Sequence, residues 1–247
     1  ESQMNAVTAI VQARTSSTRL PGKVLLNISG QPMLSHVVNR LKLCQLLDKI
    51  IIATTTLSAD DAIEQLAKVE NIECFRGDQN NVLARYYNAA KAFNVETVVR
   101  ITSDCPLIDP QVTDMVIEEH LDAKADYTSN ILERTWPRGL DTEVFTLSAL
   151  DKAYKGGEEP YQREHVTPYI WQSPNLFKLV NIAAEGKFRR PDLRLTVDTP
   201  DDLRLIREIY SRMNRHGHFF LTDKVIDLID LDPDLAAINS HVRQKQL

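Results

Sequence analysis

Cysteine is scarce in this chain of 247 residues: Cys44, Cys74 and Cys105 are odd in number, far apart and without a CxxC pair. That spacing excludes a disulfide framework and a zinc site, and it suits a reducing cytoplasm. Long apolar runs are missing as well. None approaches the roughly 20 residues of a membrane span, and the first residues lack the charged-then-apolar pattern of a signal peptide, so no membrane insertion is expected. Basic excess is absent too, with 29 Lys and Arg against 34 Asp and Glu and a net charge of −5. A general nucleic-acid binder would carry the opposite sign to neutralise phosphates, so no nucleic-acid partner is expected. There is no internal repeat and no linker rich in glycine or serine. One domain across 1–247 is therefore expected rather than two, with an embedded excursion at about 126–190.

What is present is a sizeable apolar fraction, 43%, arranged in a βαβ rhythm. Short β-branched runs at Ala6–Gln12, Lys49–Ala53, Ile72–Phe75 and Thr97–Ile101 alternate with helical patterns at Met33–Cys44, near Asp60 and Asp61, and at Val82–Phe93. This predicts an α/β fold with a mainly parallel sheet between helices. After a helix at Pro110–Leu121, with proline in its first turn, the rhythm loosens. Strands are expected at Asp126–Ser129, Leu140–Phe145 and Phe177–Ile182, and helices at Leu147–Tyr154 and Glu164–Trp171. A strand at Leu193–Val197 and a helix at Pro200–Met213 would rejoin the sheet.

Three segments point to chemistry. The loop after the first strand, "ARTSSTRLPGK", interleaves Arg14, Arg19 and Lys23 with Thr15, Ser16, Ser17 and Thr18. Hydroxyls and amides there can bind phosphate oxygens while the cations offset their charge, as a triphosphate cradle requires. It is neither a Walker loop nor GxGxxG; a solvated loop paired with neighbouring acids is the plainer alternative. "RITSDCPLIDP" delivers Asp104 at the carboxyl end of a strand, and "LTVDTPDDL" does the same for Asp198. Carboxylates so placed can hold Mg²⁺ together with substrate phosphates. An Asx turn at Asp104 and a helix cap at Thr199, with Asp202 three residues on, compete with that use.

Together with "GDQNNVLARYYNAA", "PRGLDTEVF" and "REHVTPYI", these segments resemble, in order from about Ala6 to Met213, the cytidylyltransferases of the spore-coat polysaccharide protein F type. These are relatives of the enzymes that make CMP-activated ketodeoxyoctonate and CMP-sialic acid. The resemblance implies a glycosyltransferase-A-like nucleotidyltransferase domain with a mixed sheet, often a homodimer. It also implies residue roles. Arg14, Arg19 and Lys23 match the triphosphate loop, and Asp104 and Asp198 the paired magnesium ligands; Gln12, Ala13 and Arg85 match the nucleotide-facing segments. Asn81 stands where the family pattern has an aspartate. Arg138, Asp141, Glu164 and His165 match segments near the sugar pocket, and Glu143 alternates with Asp141 on one predicted strand face.

The implied reaction transfers CMP from CTP to a sugar acid or related acceptor in surface polysaccharide or glycan biosynthesis, with release of pyrophosphate. Arg14, Lys23, Asp104 and Asp198 would form its catalytic set. A glycosyltransferase of the same fold would be expected to carry an Asp-x-Asp pair where Ser103-Asp104-Cys105 stands. A nucleotidyltransferase using another base and a non-catalytic nucleotide-binding relative remain as alternatives. Of the late arginines, Arg134, Arg138, Arg163, Arg189 and Arg190, none is singled out for an acceptor carboxylate.

Overall fold

The computed structural model describes residues 6–215 and 219–247. Its first strand, β1 (Val7–Gln12), is buried along nearly its whole length, as a central strand of a parallel sheet must be. A small hairpin, β2 (Asn27–Ile28) and β3 (Gln31–Pro32), leads to α1 (Met33–Leu41). The expected rhythm follows: β4 (Lys49–Thr55), α2 (Asp61–Val69), β5 (Glu73–Gly77), α3 (Val82–Ala92), β6 (Thr97–Thr102) and α4 (Pro110–Ala123). Then come β7 (Tyr127–Ser129), β8 (Glu143–Thr146), α5 (Leu147–Gly156), α6 (Pro160–His165), α7 (Pro168–Trp171) and β9 (Leu179–Asn181). The last elements are α8 (Pro200–Asn214), α9 (Thr222–Leu231) and α10 (Pro233–Ala237).

Seven strands form one mixed sheet in the order β5-β4-β1-β6-β8-β7-β9. The pairings among β5, β4, β1 and β6 are parallel, whereas β8 is antiparallel to both β6 and β7. The carboxyl ends of the parallel strands therefore share a rim with the amino end of β8. Apolar side chains cover both faces of the sheet. Val7, Ala9 and Val11 pack with α1, α2 and α4 on one side, and Ile10, Ile51 and Val98 with α3 and α5 on the other. A third apolar cluster joins α8, α9 and α10 to the hairpin and to Met33 at the start of α1.

Three expectations change. The predicted strand at Leu193–Val197 is not a strand: Arg194 makes one isolated bridge to Arg138, and the segment docks through Leu195 N–H to Arg138 O at 2.7 Å and Val197 N–H to Asp104 O at 2.9 Å. The physical reason is a close backbone crossing. Gly139 has φ +112, and a Cβ there would stand 2.6 Å from the Leu195 carbonyl, so the chain passes where no side chain fits. The strand predicted at Leu140–Phe145 starts only at Glu143. The helix predicted at Glu164–Trp171 breaks into α6 and α7 at Val166, which has φ 70 and ψ −55.

Candidate functional site

At the common rim of β1 and β6 lies a cleft of about 1180 Å³. The cationic loop forms one wall. Its shape is set by a hydrogen bond from Gly22 N–H to Thr15 O at 2.9 Å and by Gly22 itself, whose φ of 66 lets the chain turn into the single helical turn that carries Lys23. A second anchor comes from Asp60, which takes Thr15 N–H and Oγ1 at 2.8 Å each and the Thr55 hydroxyl. Asp60 stands immediately before α2, but its side chain makes no cap there. It holds the loop instead.

The floor carries the two predicted carboxylates. Lys23 Nζ donates to Asp198 Oδ1 at 2.9 Å and to Val197 O at 3.1 Å, and lies 3.6 Å from Asp104 Oδ2. An ammonium group thus sits between the two acids. Burial pulls the lysine pKa down, but Asp104 and Asp198 outweigh it and raise the value, so Lys23 stays charged. Asp104 is oriented by the Thr102 hydroxyl, 2.6 Å from Oδ1. Asp198 also meets Arg194 Nη2 at 2.9 Å and Arg19 Nη2 at 3.8 Å. Burial raises the Asp198 carboxyl, and Lys23 and then Arg194 pull it below its ordinary range.

These residues fit a magnesium ion in one specific sense. The structure already balances a positive charge between two carboxylates, and the donor set is all oxygen. Among the described residues no group of three or more His, Cys, Asp and Glu could form a closed cage, so substrate phosphates would have to complete the shell, as Mg²⁺ prefers.

The cleft lining brings together Gln12, Ala13, Arg14, Arg19, Lys23, Arg85, Asp104, Glu164, His165 and Asp198. Ala13 N–H is engaged by Ala53 O at 3.1 Å, which extends the β1 ladder to the rim. The Arg85 guanidinium is tied to Asp78 O and Gln79 O at 3.0 and 3.2 Å. Asn81 caps α3 through its side chain, which accepts from Ala84 N–H at 2.9 Å, a task asparagine performs as well as aspartate. His165 is half-buried and its pKa is lowered by burial, so the imidazole is neutral near pH 7.

Three predicted substrate contacts fall outside that lining. Asp141 precedes β8 and pairs with Arg134 through two bonds of 2.7 and 3.1 Å. Glu143 is 3% exposed and saturated by Arg100, Tyr127 and Thr167. The two do not share an exposed strand face, because the strand begins only at the buried one. Arg138 lines a separate cavity of about 240 Å³ beside Arg194. Conversely, Arg163 and Lys245 line the main cleft, and Lys245 Nζ donates to Thr18 Oγ1 at 3.2 Å. No spacing marks either of them, because each reaches the cleft only through tertiary packing.

The residues 8–226 match the cytidylyltransferase family model. The chain belongs to the cytidylyltransferase family. It is similar to the uncharacterized protein MJ1063 of Methanocaldococcus jannaschii, 42% identical over 243 residues that cover 97% of this chain and 96% of that one. It is also similar to the spore coat polysaccharide biosynthesis protein SpsF of Bacillus subtilis, 34% identical over 239 residues, 94% of this chain and 98% of the other. The structure of a cytidylyltransferase from Leptospira borgpetersenii superposes with a TM-score of 0.88 at 31% identity, covering 98% of this chain and 100% of that chain. The fold is therefore the glycosyltransferase-A-like nucleotidyltransferase fold that the motifs implied.

The anchors of this cytidylyltransferase make it acid-sensitive. Burial pushes Asp60 up, yet hydrogen bonds from Thr55 and Thr15 hold it below the ordinary carboxylate range. Asp202 is likewise raised by burial and held low by Arg194 and the Asp198 amide. A depressed carboxyl adds stability that is complete above the unfolded value of about 3.9 and is lost as pH falls through the folded value. The imidazoles of His36, His120 and His165, all held below their ordinary pKa by burial, should already lower the melting temperature as pH falls below about 6.5. These two carboxyls should leave it unchanged from about pH 8 to 5 and lower it further below about pH 4. Asp60→Asn should flatten that fall; an unchanged slope in melting curves taken across pH would show that Asp60 carries none of it.

Proposed function

We propose that this member of the family transfers CMP from CTP to a hydroxyl of a sugar acid or related acceptor, releasing pyrophosphate. The observation that carries the reading is the ammonium of Lys23 set between Asp104 and Asp198 beneath a loop rich in cations and hydroxyls. In this reading Arg14, Arg19 and Lys23 hold the triphosphate. The acceptor hydroxyl attacks the α-phosphorus and gives up its proton to water as the bond to the β-phosphate oxygen breaks, and Lys23 and Arg14 offset charge on the departing pyrophosphate. Asp104 and Asp198 would hold Mg²⁺, which when bound neutralises phosphate charge and lowers the pKa of an oxygen it touches. No histidine base is needed. Glu164, His165 and Arg163 on α6 face the cleft from the excursion and would meet the acceptor, with Arg163 suited to its carboxylate. The acceptor class comes from the motif resemblance, and a single domain, a homodimer and a cytoplasmic setting belong to the same reading.

A thermal-shift panel of CTP, UTP, ATP and GTP with Mg²⁺ tests it without an acceptor. At a hundredfold excess over Kd, CTP should raise the melting temperature by roughly 5–10 °C, the effect of about 2.7 kcal/mol on a chain of this size. A larger shift with another nucleotide would overturn the base assignment. No shift with any would overturn nucleotide binding itself.

A further inference from the structure

A row of polar groups runs beneath the cleft from β1 to the turn that follows α6. Gln12 ends β1 beside Thr102 and lines the cleft. Two residues back along β6, Arg100 donates from Nε to Gln12 Oε1 at 3.1 Å and from Nη1 to Glu143 Oε1 at 2.6 Å. Its guanidinium lies 5.8 Å from the centroid of the Tyr86 ring. The other glutamate oxygen takes the hydroxyls of Tyr127 and Thr167, both at 2.6 Å. Arg100 and Glu143 are cross-strand partners, with side chains only 13% and 3% exposed.

Arginine offers only donors and ionised glutamate only acceptors, so the direction of this row cannot reverse. A glutamine amide is otherwise nearly symmetric in shape, and an unconstrained one can turn either its oxygen or its nitrogen outward. Facing Arg100, a flipped amide would set N–H against N–H and lose a charge-assisted bond. Gln12 therefore keeps its oxygen on the arginine, which leaves its two Nε2 donors for other partners.

We propose that Arg100, clamped by Glu143, makes Gln12 a donor-only reader of the nucleotide base and thereby selects cytosine over uracil. The inference rests on the nucleotide-binding reading above. Lys23, Arg14 and the two acids assign the charged part of the cleft to phosphates; among the uncharged residues that line the rest, Gln12 stands out because its amide oxygen is held by a buried arginine. Cytosine presents adjacent acceptors at O2 and N3. Uracil carries a hydrogen on N3, so a fixed amide nitrogen meets a donor there. A free glutamine would flip and accept from that N–H; a held one cannot, and mismatched buried polar groups are what such sites discriminate against. Glu143 thus acts through Arg100 as a positioning residue, although it touches no ligand.

Gln12→Glu keeps the side-chain shape and replaces the donors with an acceptor. Its ratio of CTP to UTP affinity, measured by titration calorimetry with Mg²⁺, should fall by roughly tenfold or more. An unchanged ratio overturns the proposal. Arg100→Lys preserves a cation on Glu143 and should lower the ratio in the wild-type background but not in Gln12→Ala. A further change in that background would mean that Arg100 does not act through Gln12, and the proposal would fall. A wild-type protein that binds triphosphate but shows no preference for CTP, or that binds no nucleotide, overturns the underlying functional reading instead.

Discussion

Replacing Asp104 by alanine is expected to lower turnover by roughly 10²–10³-fold or more while moving the melting temperature of the ligand-free protein by no more than about 2 °C. The separation follows from how the residue is held. Its carbonyl accepts from Val197 N–H at 2.9 Å and from Thr196 Oγ1 at 3.0 Å, and both bonds survive the substitution because they use the backbone. Its carboxylate serves the cleft: Oδ1 is aimed by Thr102 and Oδ2 faces Lys23. Lys23 keeps Asp198 as a partner, so no charge is stranded. Asp104→Asn retains an oxygen for the Thr102 hydroxyl but removes the charge, and it should be as inactive as the alanine variant. Pyrophosphate release at a near wild-type rate by either variant, with Mg²⁺ present, would remove Asp104 from the catalytic set.

Asp202→Asn should show the reverse profile, a large loss of stability. Asp202 is fully buried and gathers five donors: Arg194 Nε, Asn239 Nδ2, Arg194 Nη2, and the amides of Asp198 and Thr199, all between 2.9 and 3.1 Å. An amide in its place turns donors against donors and leaves the Arg194 guanidinium short of charge. Breaking a buried pair from one side costs about 3–5 kcal/mol, which for a chain of this length lowers the melting temperature by roughly 6–20 °C. The Asp198 amide hangs on the same carboxylate, so activity should fall with stability. A drop of less than about 2 °C in a thermal melt would show that Arg194 finds sufficient compensation in Asp198 and Gln244.

Periodicity revealed the parallel half of the sheet because each of its strands is a β-branched run flanked by an amphipathic helix, and β1, β4 and β6 lie close to where those runs place them. Thr199 and Asp202 could be read as a capping box for the same local reason, and the box is formed. The rest depends on contacts between distant segments. The run Leu193–Val197 has strand composition, but Gly139 draws Leu195 against its own backbone and no ladder forms. Asp60 carries a helix-start signature while its carboxylate reaches back to Thr15. Alternation identified a face for Glu143 without showing that Tyr127, Thr167 and Arg100 already occupy it. In the site, the loop cations and the two aspartates stood out because each follows an apolar run. Arg163 and Lys245 did not, since only packing brings them to the cleft.

The broken helix between α6 and α7 also bears on the rate of unfolding. Val166 is a buried β-branched residue at positive φ, in a γ-turn closed by Thr167 N–H to His165 O at 2.8 Å. Such a conformation costs about 1–3 kcal/mol locally and persists only when surrounding structure imposes it. Val166 is held there by its own burial in the apolar cluster of α3 and α5 and by the Thr167 hydroxyl on Glu143, a glutamate carried by β8 between β6 and β7. The wall of the cleft bearing His165 thus takes its shape from the sheet. Thr167→Val is accordingly expected to speed unfolding and leave the folding rate nearly unchanged, a split that stopped-flow kinetics across denaturant would check.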